Sequence, residues 1–379
     1  MTQKYTIHLE EKSLTQGKRI FGLDLLRGGA LLMVLFSHLL LFSPVKNIVT
    51  EQLVPLFGFL GVEIWFVLGG FLMGNKIYTL TVLQQFSRIE AIQYFRHRCL
   101  RILPSYFLVL LLALAVAMWL QYPTDHLWRY FFLMQNFVNP MPLFFSESWA
   151  VMVSFFASLI LIFGMFFIMN RFSFKNKSKV FLRATLSMIA ISLFAKFGFY
   201  LINGSITLSQ WDSNLKAVVL YRFDAFFIGV FCSWIYFNRS GLWLKFRHLS
   251  LFSGFILMGI LFVGVGYFRW LIDSHPFFWI VFYLPLTSLS IAFFLPFLAA
   301  IEIPKLNNIV AFISKISYAA YLVHFSIILQ LTRHFFDPES LTATGFCLFS
   351  TAYLILTLSL GFVIYHFFEK PILLPKLKS

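Results

Sequence analysis

Charge is what this chain of 379 residues has least of: Asp, Glu, Lys and Arg make up 12% of it, and only 15 residues are acidic. An ordinary soluble chain is about 25% charged. With 60% hydrophobic residues and a mean hydropathy of +0.82, the composition excludes a soluble enzyme and a disordered tail. Cysteine is nearly absent. Cys99, Cys232 and Cys347 stand far apart, in or beside apolar runs, and form neither a disulfide framework nor a metal-ligand spacing, so no metal is expected. The first twenty residues lack a short apolar core followed by a small-residue cleavage site, which predicts insertion directed by the first apolar helix. Strict polar–apolar alternation is missing too, against a β-barrel. No aromatic-interleaved basic domain stands outside the apolar runs. The net charge of +15 therefore reads as topology information, and no nucleic-acid partner is expected.

What is present is apolar and long. Ten segments, roughly 22–43, 53–74, 102–121, 149–169, 182–202, 216–237, 250–270, 277–300, 309–331 and 343–367, each suffice to cross a bilayer. They predict an all-α polytopic membrane protein of about ten transmembrane helices. The layout is an N-terminal tail 1–21, a transmembrane domain 22–369 and a C-terminal tail 370–379. No loop has room for an appended soluble domain. The stretch 122–148, aromatic-rich from Trp128 to Phe137, is not counted as a span. Cations fall on alternate sides. One face holds twenty-one, among them Lys4, Lys12, Lys18, Arg19, Arg88, Arg96, Arg98, Arg101, Lys175, Lys245, Lys370, Lys376 and Lys378. The other holds four: Lys46, Arg129, Lys216 and Arg333. The cation-rich face stays cytoplasmic, which puts both termini inside.

An ionisable side chain inside a span must find a partner or a watery cavity, and so marks a candidate site. In the first span Arg27 and His38 are eleven residues apart, three helical turns plus about 20°, on one face and about 16 Å apart. They read as the two ends of a ligand channel, or alternatively as a snorkelling arginine and an interhelical histidine. Glu63 lies near mid-membrane in the glycine-punctuated second span. Arg98 and Arg101, neighbours at i, i+3, suit phosphate recognition or serve as an ordinary positive-inside anchor. Arg222 and Asp224 share the sixth span, as an ion pair or a polar substrate pocket. His324 sits in the ninth beside Ser317, Tyr318 and Tyr321, and Glu369 reads as an interface residue that terminates the tenth.

Taken in order, these stretches resemble acyltransferase family 3, the integral membrane O-acyltransferases of the O-antigen and exopolysaccharide acetyltransferase type. Leu23-Asp24-Leu-Leu-Arg27 through His38 is similar to the family's opening with its Arg-x10-His spacing. Gly61-Val62-Glu63 through Gly69-Gly70-Phe71 resembles its second-helix segment, and Arg98-x-x-Arg101-Ile-x-Pro104 its paired arginines. Arg222-Phe-Asp224-Ala-Phe226-Phe-Ile-Gly229, Ser317-Tyr318-x-x-Tyr321-Leu-x-His324 and Phe368-Glu369-Lys370-Pro371 resemble three later signatures. Two positions depart. Gly69 stands where the family has serine. Ser154 stands where it often has the glutamate of Trp-Ser-Leu-x-x-Glu, and Glu147 points elsewhere on any continuous helix from Trp149.

The resemblance implies transfer of an acyl group, usually acetyl, from cytoplasmic acetyl-CoA to a hydroxyl of an extracytoplasmic glycan or lipid-linked sugar, such as lipopolysaccharide O-antigen or exopolysaccharide. It implies a bacterial inner membrane as the location. Arg27, Arg98 and Arg101 would hold the CoA phosphates, His38 and Glu63 would be catalytic, and Trp149, Arg222, Asp224 and His324 would line the acceptor side. Transfer is then either direct or through an acylated His38. The readings from other classes are a secondary transporter of a sugar or organic anion, which predicts internal repeats that the sequence does not display, and a catalytically inactive relative.

Overall fold

The structure is a computed structural model that describes residues 19–44, 54–141, 143–336 and 341–373, leaving aside the side chains of residues 54–56. Lys4, Lys12, Lys18, Lys46, Lys376 and Lys378, with most of both tails, lie outside the described residues. The described chain is helical, with no strand. Ten long helices carry it: α1 (Phe21–Leu40), α2 (Val54–Tyr78), α3 (Arg88–Leu120), α4 (Ser148–Arg171), α5 (Lys177–Asn203), α6 (Phe223–Asn238), α7 (Arg247–Gly266), α8 (Leu284–Leu298), α9 (Asn307–Val323) and α10 (Ala343–Ile364). Among the described residues nine helical runs are long and apolar enough to cross a membrane; α6, with 16 residues, is the shorter apolar one. The chain is an all-α polytopic membrane protein.

Helix α2 occupies the centre, packed against α1, α4, α6 and α8. Two glycines permit its tightest crossing. A Cβ added at Gly70 would lie 1.9 Å from the carbonyl oxygen of Phe226, and one at Gly229 would lie 2.0 Å from that of Val67. The backbones of α2 and α6 therefore touch, as membrane helices do where small residues face each other. Gly69 is different: its Cβ would meet only the Phe226 ring at 3.8 Å, an ordinary contact, so serine fits there sterically. Helices α5 and α7 lie at the periphery and present Phe194, Ile202, Phe252 and Phe255 outward, as lipid-facing helices should.

Three boundaries differ from the sequence reading. Helix α3 begins at Arg88, not at 102. Ser87 caps it by accepting from Glu90 N–H (3.2 Å) while Glu90 accepts from Ser87 N–H (2.8 Å). This reciprocal cap overrides the charge of the Arg88–Arg101 stretch, and Arg98 and Arg101 become residues of a continuous helix. The sixth helix begins at Phe223, not 216, because the backbone before it is engaged elsewhere. Val219 N–H donates to Asn136 C=O (2.9 Å), and the Asn136 amide donates to the carbonyls of Ala217 (2.6 Å) and Trp149 (3.1 Å). Glu369 does not terminate the tenth helix. A π-turn (Tyr365–Glu369) runs on into Lys370–Leu373, with Glu369 buried.

The uncounted stretch 122–148 contains one short helix (Leu127–Phe131) and packs into the bundle as irregular chain. Tyr130, Gln135 and Asn136 are fully buried in it, and the Gln135 amide donates to Tyr106 Oη and Ser148 Oγ, both at 3.2 Å. A buried side-chain amide needs such internal partners. Burial, with the Glu147 carboxylate second, pushes the Tyr130 phenol up, so it remains a neutral donor to the Phe144 carbonyl.

Candidate functional site

Two polar centres sit at opposite ends of α1. At its N-terminal end Arg19 grips Asp24 through both nitrogens (2.7 and 2.8 Å), and Ser314 of α9 donates to the same carboxylate at 2.7 Å. Asp24 is thereby shared, acting on Arg27 as well, while the other charges within electrostatic reach of Arg27 are cationic: Arg101, Arg19 and Arg98. Arg98 donates from Nη2 to Ser154 Oγ of α4 (2.8 Å), and its Nε has no partner among the described residues. Glu369 lies within electrostatic reach of Arg101. The three arginines singled out in the sequence thus converge. Across this end Arg19, Arg27, Arg98 and Arg101 outnumber Asp24 and Glu369, and low-dielectric surroundings strengthen their pull on an anion.

At the other end the His38 ring lies 5.2 Å from that of His324 and 4.8 Å from Phe325, centroid to centroid. His324 is fully buried and opens a π-turn, His324–Leu329, that interrupts α9; such turns are frequent at functional sites. Its Nδ1–H donates to the Tyr321 carbonyl, which fixes the tautomer and leaves a lone pair on Nε2. That nitrogen, and Nδ1 of His38, have no partner among the described residues. Glu147 braces the turn. Its carboxylate accepts from Ser326 N–H (3.0 Å) and Ser326 Oγ–H (2.5 Å), and its carbonyl accepts from Tyr321 Oη–H (2.8 Å). Trp149 follows two residues on and carries Lys216 over its ring at 5.5 Å. Lys216 pairs with Asp212 and lies within electrostatic reach of His38.

Trp65 of α2 joins the two ends. Its indole N–H donates to the Arg27 carbonyl (3.3 Å), and its ring meets the edge of Tyr321 at 4.5 Å. It is half-buried, whereas Glu63, Ile64, Phe66 and Val67 around it are buried.

Glu63, Arg222 and Asp224 form a third, enclosed centre. Glu63 pairs with Arg222 and accepts from Ser288 Oγ–H (2.7 Å), while Arg222 stacks over Phe66 at 5.6 Å. Asp224 pairs with Lys196 (2.6 Å) and accepts from Ser192 Oγ–H (3.2 Å). All four charged side chains are fully buried. Two cations and two anions balance, so this centre is neutral as a whole. The structure does not bring Arg222 or Asp224 against the imidazoles; Phe66, whose edge meets Trp149 at 5.8 Å, stands beside the pair.

Several of these residues escaped the sequence reading. Lys196 carried a readable signal, a lysine in the middle of the 182–202 apolar run, which demands a counter-charge. Trp65 carried none among so many aromatics. Gln135 and Asn136 lay in a stretch read as a connection. An apolar groove of about 330 Å³ between α6, α7 and α8, lined by Phe231, Ile235, Trp243 and Phe293 among others, has no charged side chain in its wall. Among the described residues no three His, Cys, Asp or Glu side chains gather as metal ligands.

No curated protein and no solved structure matches the chain. A family model described as an acyltransferase domain, that of acyltransferase family 3, matches residues 20–366. That match takes in the arginine cluster, the imidazole pair and the enclosed ion pairs, and the chain belongs to acyltransferase family 3.

Proposed function

We propose that the protein transfers an acetyl group from acetyl-CoA, bound from the cytoplasm, to a hydroxyl of an extracytoplasmic glycan or lipid-linked sugar, in a bacterial inner membrane. The observation that carries this reading is the two-ended layout of α1, with a cationic cluster at its N-terminal end and two adjacent imidazoles at the other. The cation-rich loops put the arginine end in the cytoplasm. There Arg27, Arg98 and Arg101 hold the CoA phosphates by charge-assisted hydrogen bonds. The pantetheine arm runs along α1 past Trp65, and the thioester arrives at His38. A sugar hydroxyl is a weak nucleophile until a base takes its proton. His38 takes that proton in a direct transfer, or carries the acyl group itself in a two-step one. Trp149 and His324 line the acceptor side. Glu63, Arg222 and Asp224 support the site from behind, Glu63 by balancing Arg222.

The test is acetyl-CoA binding and slow hydrolysis by purified protein in nanodiscs. Wild type is expected to bind and turn over, His38→Ala to bind without turnover, and Arg98→Ala/Arg101→Ala to lose binding. Wild type with no affinity for any acyl-CoA sinks the reading, and uptake of sugars or organic anions then becomes the assay.

A further inference from the structure

The imidazole pair holds more than a direct transfer uses. One base suffices to deprotonate a hydroxyl that attacks a thioester, yet two imidazole rings lie 5.2 Å apart here, centroid to centroid. Their states differ. His324 has its tautomer fixed by the Tyr321 carbonyl, is braced through Glu147 and Ser326, and offers a single lone pair on a fully buried, unpartnered Nε2. His38 is half-buried as a residue, its Nδ1 is likewise buried and unpartnered, and among the described residues it has no fixing hydrogen bond: its ring is held by contacts with His324 and Phe325 alone among the ring contacts described. A buried acceptor without a donor is costly unless something arrives to fill it. A fixed base beside a less constrained ring is the arrangement in which one imidazole reacts and the other moves protons.

We infer that His38 is the acyl carrier and His324 the base of a two-step transfer, an assignment that rests on the acyltransferase reading above. In the first step a ring nitrogen of His38 attacks the thioester carbonyl carbon. The C–N bond forms, the C–S bond breaks, and CoA leaves as thiolate, taking the proton from the other His38 nitrogen. In the second step the acceptor hydroxyl oxygen attacks the acyl carbon, and its proton passes to His324 Nε2. The C–N bond breaks with its electron pair returning to His38, which recovers the proton from His324. Acylated His38 keeps only a weakly basic nitrogen, its basicity drained by the acyl group, and His324 supplies the stronger base that this step requires. Both rings end as they began, with no reductant, oxidant or metal consumed.

Rapid-mix assays with acetyl-CoA, water serving as acceptor, separate the steps. Wild type is expected to release a burst of CoA and then turn over steadily. His324→Gln should bind acetyl-CoA as wild type does, release a single equivalent of CoA, and then slow by about 100-fold, leaving acetyl on the peptide that contains His38. His38→Gln should bind and release nothing. A structural defect at His324 would reduce burst and steady rate together. The inference is overturned if His324→Gln turns over at the wild-type rate, or binds donor without a burst. Should His324→Gln fail to fold, His324→Asn and acid-quenched wild type decide it; absence of acetylated His38 in wild type overturns it. Wild type that fails to bind acetyl-CoA refutes the acyltransferase reading itself, a separate outcome.

Discussion

Glu147 holds Ser326 by two bonds at once, its carboxylate accepting both the backbone N–H and the hydroxyl. The amide of Ser326 lies inside the π-turn that begins at His324, so a side chain from the start of α4 takes part in the hydrogen bonding of another helix. Removing it frees the turn. Glu147→Ala is expected to lower stability by about 1–3 kcal/mol and turnover by about 100-fold through displacement of His324. Glu147→Gln retains one acceptor and should lose far less. Thermal melts and CoA release on the same preparations check both.

The enclosed ion pairs predict a strongly non-additive cycle. Removing one member of a buried pair strands the other, at about 3–5 kcal/mol. Glu63→Gln and Arg222→Met should each destabilise by that order, and the double variant by clearly less than their sum. The same pattern is expected for Lys196→Met and Asp224→Asn. Melting in detergent is the measurement, and simple additivity in both cycles would show that the pairs are not coupled.

How much of this was readable beforehand differs from residue to residue. Helix number came through because long apolar runs are a local signal; Arg98 and Arg101 were visible as an i, i+3 pair, but their nearness to Arg27 is tertiary and the spacing does not show it. Glu63 and Arg222 were each visible as costly groups, but their pairing spans 159 residues and no local pattern encodes it. Lys196 was legible and overlooked, since the surrounding run was scored for hydropathy alone. The Glu147–Ser326 brace was not legible. It joins Glu147, the residue just before α4, to Ser326, 179 positions away in the chain, and nothing in the local sequence marks that. The late start of α6 was hidden for a related reason: Asn136, distant in sequence, supplies the partners that compete with helix formation.

Donor recognition by phosphates predicts a comparison of substrates. Acetyl-CoA should bind at least about 10–100-fold more tightly than S-acetyl-pantetheine, which lacks the phosphates, as expected for loss of charged hydrogen bonds. Arg98→Ala and Arg101→Ala should each erase much of that preference while leaving the pantetheine donor's affinity unchanged, with Lys restoring part of it. Equal affinity of wild type for both donors would remove the phosphates from the arginine cluster.

The backbone contact between α2 and α6 predicts opposite outcomes for adjacent glycines. Gly70→Ala and Gly229→Ala push a methyl into a carbonyl oxygen and should cost about 1–3 kcal/mol or more, read as lost monodisperse protein and a lowered Tm. Gly69→Ser, which restores the residue found at this position in the resembling family segment, should change stability by no more than about 0.5 kcal/mol.

The shortness of α6 has a consequence for the barrier between the two aqueous phases. Sixteen residues of helix span about 24 Å, against about 30 Å of hydrocarbon. Because α6 is enclosed by α2, α4, α5 and α8, lipid does not meet the shortfall. The buried, mostly apolar chain of 212–221, bonded to Asn136, fills it instead. Along this one axis the low-dielectric layer is completed by buried irregular chain rather than by α-helix, and the backbone groups of that chain depend on Asn136 for partners.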